Sequence, residues 1–300
     1  MKQFVILSGK GGTGKTSVAA AFAHLASSDG YQACIVLADA DVDAANLELL
    51  LKPQILEKHS FDGGKVAVID QNLCLGCGDC MQVCRFDAIH TDGTAFQIDR
   101  LACEGCGACL YQCPGEAISM EGQMAGYWFR SGSFLGPLFH ASLRPAQENS
   151  GKLVTMVKQQ ARLLAADEKL SLVLVDGPPG IGCPVISAVS GADLALIVAE
   201  PTVAGVHDMG RILETIEHFG VPAVVCINKA DLYAKGAADI EAFCREHEIE
   251  VIGSIPFDPM VTEAMVYGQS VTAYRPEALA SQALTLIWNK VMALLEEIEK

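Results

Sequence analysis

The chain has 300 residues, 51% hydrophobic and 19% charged, which is enough apolar material for one large or two ordinary folded domains. Its formal net charge of −15, with no basic stripe, argues against a nucleic-acid partner, because polyanion binding depends on Lys and Arg neutralising phosphates. No apolar run approaches the roughly 20 residues of a membrane-spanning helix, and Met1-Lys2 leads straight into a strand with no cleavable leader, which predicts a cytoplasmic protein.

The first apolar run, Phe4 to Leu7, reads as a buried strand, and a helical pattern covers about 16–28. Between them lies Ser8-Gly9-Lys10-Gly11-Gly12-Thr13-Gly14-Lys15-Thr16-Ser17. Gly9-x4-Gly14-Lys15-Thr16 between a strand and a helix is a Walker A motif. Backbone N–H groups of Gly11 to Thr16 are expected to cradle phosphates at the helix N-terminus, Lys15 to reach the β/γ oxygens and Thr16 to ligate magnesium. A second strand is predicted over Ala33 to Leu37, followed by Asp39-Ala40-Asp41-Val42-Asp43-Ala44-Ala45-Asn46-Leu47, by itself an acidic turn.

From about Phe61 to Gly122 the alternation of strands and helices stops and the chain becomes Cys- and Gly-rich. Cys74-x2-Cys77-x2-Cys80-x3-Cys84 recurs 29 residues later as Cys103-x2-Cys106-x2-Cys109-x3-Cys113-Pro114. Each run is that of a bacterial two-cluster ferredoxin, in which three close thiolates hold one 4Fe-4S cube and the fourth cysteine ligates the other. The rule assigns Cys74, Cys77, Cys80 and Cys113 to one cluster, and Cys103, Cys106, Cys109 and Cys84 to the second. A pair of zinc sites is the alternative, but eight cysteines in two such runs are more specific than isolated C-x2-C pairs. Arg85 follows Cys84 where proline follows Cys113.

The rhythm resumes after 150. Strands are predicted at Leu172 to Val175, Leu194 to Val198, Ala223 to Ile227 and Val251 to Ile255, and helices at roughly 152–166, 203–218, 237–247 and 278–298. This alternation predicts an α/β fold: a mostly parallel, doubly wound P-loop sheet over 1–60 and 123–300. A small α+β ferredoxin-type domain is inserted at 61–122, with 123–150 as its return path.

The early Lys10 makes the loop the deviant form KGGxGK[ST]. With it the sequence resembles the MinD/ParA/Mrp superfamily of P-loop ATPases, which also contains the dinitrogenase reductase iron protein. The resemblance implies that Lys10 crosses the interface of an ATP-dependent dimer to reach the partner's nucleotide. It places Asp39 near magnesium, and makes Asp41 the group that orients the attacking water. Leu172-Val-Leu-Val-Asp176-Gly-Pro-Pro-Gly180 resembles the family's Walker B strand and second switch, with Asp176 holding magnesium through water. Asn228-Lys229-x-Asp231 resembles its base-contact loop, with Asn228 toward adenine and Ile255-Pro256-Phe257-Asp258 near the same base.

Four cysteines remain. Cys34 and Cys226 fall in apolar strands and Cys244 in a helix, where a free cysteine packs as a small hydrophobe. Cys183 lies in the Gly/Pro-rich switch near where dinitrogenase reductase places a ligand of its bridging cluster, so it is a candidate metal or redox residue as well as a packing one. No histidine has catalytic spacing, and the acidic end Leu294-Leu-Glu-Glu-Ile-Glu-Lys300 argues against membrane-surface binding. The expected cofactors are two 4Fe-4S clusters, ATP and Mg2+. The expected partners are a second subunit, identical or not, and a redox or metallocluster protein. The alternative is a positioning or scaffold ATPase whose clusters are structural.

Overall fold

The computed structural model describes residues 1–28, 35–43, 45–144 and 150–298. The sequence expectation for Cys34 therefore lies outside the described residues, as do the first two residues of the predicted second strand. The chain divides into one unit of Met1–Lys58, Trp128–Ser142 and Ser150–Lys300, and another of His59–Tyr127 and Leu143–Asn149.

The first unit is built on β1 (Lys2–Ser8), β2 (Ile35–Asp39), β8 (Leu172–Pro179), β9 (Leu194–Ala199), β10 (Ala223–Asn228) and β11 (Glu250–Ile255). With β3 (Gln54–Ile69), β6 (Ile118–Ser133) and β7 (Gly136–Leu143) the sheet order is β11-β10-β9-β1-β8-β2-β7-β6-β3. Strands β11 through β2, and the β2–β7 pair, run parallel. Their near-continuous apolar sequence follows from burial on both faces. Phe4, Ile6, Leu37, Leu172 and Leu174 join the core under α1 (Lys15–Ala26) and α11 (Leu279–Glu297), while Val5, Leu7, Val36, Val173 and Val175 alternate with them and are fully buried too. The ring of Phe22 in α1 sits 5.2 Å from that of Trp288 in α11. Helix α5 (Ser150–Asp167) packs on β2 and β8, and α7 (Val203–His218) on β1 and β9. Two faces covered by helices make the mostly parallel α/β sheet of a P-loop protein.

Segment 123–150, read from sequence as a return path, carries no predicted strand or helix. Its described part is largely strand: β6 runs through 123 to Ser133, and β7 pairs with β2. That these strands were not legible has a physical cause. Gly122-Gln-Met-Ala-Gly-Tyr-Trp-Phe-Arg-Ser-Gly-Ser133 mixes glycine and polar residues with its aromatic ones, which hides a strand of half-buried character. Among the described residues no helix is long and apolar enough to cross a membrane.

The second unit carries α3 (Asp79–Val83), β4 (Ile89–Thr91), β5 (Phe96–Ile98) and α4 (Ala108–Gln112), with β4 and β5 antiparallel. Its small core gathers Ala67, Cys80, Ile89, Cys109 and Ile118. The two cysteine runs repeat their backbone as well as their sequence. Gly76 and Gly105 have φ 69° and 64°, Gly78 and Gly107 81° and 75°, and Asp87 and Glu116 both 49°. The two runs are tied crosswise in equivalent ways: Asp70 N–H, before the first run, donates to Ala117 O, after the second, at 2.7 Å, and Asp99 N–H, before the second, to Ala88 O, after the first, at 2.8 Å.

Candidate functional site

Because β1, β2, β8 and β10 run parallel, their C-terminal ends meet at one edge of the sheet, where ligands of open α/β folds collect. There a cavity of ≈ 740 Å³ is lined by Gly11, Gly12, Gly14, Lys15, Thr16, Ser17, Asp41, Pro179 and Asn228. Gly12 and Gly14 hold φ 79° and 97°, a bend only glycine makes without strain, and Gly14 caps α1 so that its first N–H groups face the cavity. Lys15 is buried to 5% exposure.

Asp176, the fifth residue of β8, is 1% exposed, and neither carboxylate oxygen has a hydrogen-bond partner among the described residues. Burial pushes its pKa up to about 6, opposed by the Lys15 ammonium and the nearby Thr16 hydroxyl, and raised further by Asp41. Asp39 is fully buried and pushed well up by burial and by Asp176, while N–H groups of Leu47 (3.0 Å) and Asp41 (3.2 Å) pull the other way. Two buried carboxylates beside one lysine, one of them with no donor, form an anionic pocket short of positive charge. A hard divalent cation is the partner such oxygens take.

Other expected residues fall elsewhere. Lys10 does not line the large cavity: its ammonium pairs with Glu200 Oε2 at 2.9 Å and Thr202 Oγ1 at 3.3 Å. Glu200 also takes Lys229 at 2.9 Å; burial works against its ionisation, but the bonds from Lys229 and Lys10 prevail and lower its pKa. Thr13 is buried and outside the cavity lining, and the half-buried Pro256 lies outside that lining too. Asn228 Nδ2 donates to Thr13 O at 2.7 Å and its Oδ1 accepts from Lys229 N at 3.0 Å, so its amide braces the loop. Residues that sequence reading missed are Glu200 and the cavity-lining Val261, Thr262 and Met265 of α9 (Pro259–Val266). Apolar residues in a short helix carry no motif, so no signal marked them.

In the second unit one small cavity is lined by Cys84, Cys103, Cys106 and Cys109, with Gly105 and Gly107. Ala88 N–H donates to Cys84 Sγ at 3.4 Å and Ala117 N–H to Cys113 Sγ at 3.3 Å. Cys80 and Cys109 are buried, which raises their thiol pKa, and neighbouring cysteines raise it further. Cys113 packs in the core with Cys80, whereas Cys77 is exposed. Among the described residues no three His, Cys, Asp or Glu side chains converge at the distances a single metal ion needs. The ligands of a cube stand on four separate irons and are more widely spread than those of one ion. The cysteine-lined cavity, the bare glycine backbone and the N–H groups aimed at sulfur fit such a group.

Cys183 is the exposed first residue of α6 (Cys183–Val189). Cys226 and Cys244 are fully buried in β10 and in α8 (Ala234–Glu246).

Uncharacterized protein MJ0578 of Methanocaldococcus jannaschii is 37% identical over 257 residues, which span 85% of this chain and 84% of that protein. An iron-sulfur cluster carrier protein of Pyrococcus horikoshii is 27% identical over 166 residues, half of this chain and 54% of its own. The cell division ATPase MinD of Pyrococcus furiosus superposes with a TM-score of 0.58 at 21% identity, covering 98% of this chain and 99% of MinD; at that identity the likeness speaks for the fold alone. The family model of the CobQ/CobB/MinD/ParA nucleotide binding domain matches residues 4–271, and the chain belongs to that family.

Proposed function

We propose that this protein is a Mg-dependent ATPase that couples nucleotide-driven dimerisation to electron transfer, or to metal-sulfur cluster assembly, on a partner protein. The observation that carries the reading is the union in one chain of two sites. One is a loop-and-carboxylate cavity of nucleotide size; the other is a duplicated eight-cysteine array whose two halves share one backbone conformation.

In the cavity the N–H groups from Gly11 to Thr16 bind phosphate oxygens and Lys15 neutralises charge on the β/γ bridge. Asp41, on the cavity wall, orients the attacking water. Thr16, Asp39 and Asp176 would hold Mg2+, which neutralises phosphate charge when bound. Lys10 exchanges Glu200 for a neighbouring subunit's phosphates as the dimer forms. Residues 61–122 form the inserted ferredoxin-type domain, in which Cys74, Cys77, Cys80 and Cys113 hold one 4Fe-4S cluster and Cys103, Cys106, Cys109 and Cys84 the other. The clusters supply one-electron carriers.

The test is anaerobic reconstitution followed by iron analysis, EPR and ATP turnover. About eight irons per chain and two interacting reduced-cluster signals are expected, with ATP shifting their spectra or potential. Zinc in their place, or no turnover, refutes the reading. Nucleotide-dependent dimers whose partner binding ignores the clusters' redox state would instead favour a scaffold ATPase.

A further inference from the structure

One buried hydrogen-bond chain has no part in that chemistry. Ser131 Oγ of β6 lies 2.9 Å from Nε2 of His140 on β7, and His140 Nδ1 lies 3.0 Å from Glu48 Oε2 in α2 (Leu47–Leu51). Ser131 is wholly buried and His140 2% exposed, with the Phe129 ring stacked on the imidazole at 4.9 Å. A carboxylate can only accept, so Nδ1 carries the proton, and Nε2 of the neutral ring accepts from the Ser131 hydroxyl. Burial lowers the pKa of His140, with Glu48 opposing, which agrees with a neutral ring. The order Ser–His–Glu is that of a hydrolase triad. Ser131 at 0% exposure admits no substrate carbonyl, however, so the chain positions elements and does not cleave bonds.

Both ends of this chain lead somewhere. Helix α2 is a single turn, and the N–H of its first residue, Leu47, donates to Asp39 Oδ2 at 3.0 Å. The neighbouring Asn46, Leu49 and Leu50 line the nucleotide cavity. At the other end, β6 begins at Ile118, five residues past Cys113, and passes from the second unit into the first before reaching Ser131. A one-turn helix held at the nucleotide site by one residue and at a buried imidazole by the next has little freedom to absorb a displacement. If Glu48 moves, it leaves a buried N–H unpaired, so the ring and Ser131 must move with it.

We propose that Glu48, His140 and Ser131 form a positioning relay that transmits the occupancy of the nucleotide cavity to strand β6. Its use, signalling to the cysteine array, rests on the function proposed above; its action as far as β6 does not.

The experiment is hydrogen exchange on the anaerobically reconstituted full chain, with and without Mg2+ and a non-hydrolysable ATP analogue, with EPR recorded on the same samples. In the wild type the analogue should change exchange at residues 128–133 by about fivefold, the lower range of allosteric coupling. Ser131→Ala and Glu48→Ala should lose that response while retaining ATP turnover. Glu48→Gln, which keeps an acceptor oxygen, should restore it. Glu48 is partly exposed, its side chain at 42%, so its variants keep the test open should Ser131→Ala fold poorly. An unresponsive β6 in the wild type, or an equal response in Ser131→Ala and Glu48→Ala, overturns the relay. A β6 that responds through these residues while the EPR does not would uphold the relay and count against the coupled function.

Discussion

Replacing Asp176 by Asn should stabilise the nucleotide-free protein while removing its response to Mg-ATP. Asp176 is buried, its oxygens have no donor among the described residues, and its pKa is raised from 3.8 to about 6. At about 1.4 kcal/mol per pH unit, holding this carboxyl ionised at neutral pH costs the folded state about 3 kcal/mol. The sign follows from proton binding. The folded chain holds the Asp176 proton more tightly than the unfolded chain, so the contribution to stability is complete below about pH 4 and lost as pH rises through about 6. The amide introduced by Asp176→Asn carries no charge to desolvate. Relief of the like-charge push on Asp39 acts in the same direction. Thermal melts at pH 7.5 should show the variant higher by about 6–12 °C for a unit of this size, and the two proteins converging near pH 4. With Mg-ATP at about a thousandfold its Kd the order should invert, because binding then adds about 4.1 kcal/mol to the wild type alone, more than the difference of about 3 kcal/mol. A variant that melts at or below the wild type without nucleotide at pH 7.5, or a gap constant from pH 7.5 to 4.5, would refute the argument.

Lys15→Ala removes a buried cation of the cavity and should lower ATP turnover about a hundredfold or more, measured by phosphate release. Cys84→Ser should disturb the same reduced-cluster EPR signal as Cys109→Ser, and not the one disturbed by Cys80→Ser; the reverse would sink the crossed ligation. The glycines at equivalent places in the two runs make a matched pair. At Gly76, φ 69°, a new Cβ meets nothing within 4 Å, and alanine should cost about 1 kcal/mol of backbone strain. At Gly105, φ 64°, the Cβ would collide with the Lys65 carbonyl, and alanine should cost about 3 kcal/mol. Calorimetry of the two variants compares them directly, and equal losses would mean that Lys65 moves freely aside.

Features that depend on short-range spacing were legible in the order of amino acids alone. Glycines that must adopt positive φ, a lysine one residue before the first magnesium-type hydroxyl, apolar runs long enough for a buried strand and cysteines spaced to wrap a cube are all set within a few residues. They specified the P-loop, the parallel α/β sheet and the two cysteine runs. Features that need residues far apart in the chain came from the tertiary fold. It turned Lys10 to Glu200, set Asn228 against Thr13, and brought Val261 and Met265 to the cavity wall. It also made β6 and β7 members of the main sheet, in a segment where the sequence reading named no strand. Glu48, His140 and Ser131 are separated by up to 92 positions and belong to no motif, and only strand pairing and helix placement put them within hydrogen-bond reach. A local pattern reports the backbone conformation a residue needs, whereas the partner of a buried polar side chain is chosen by topology.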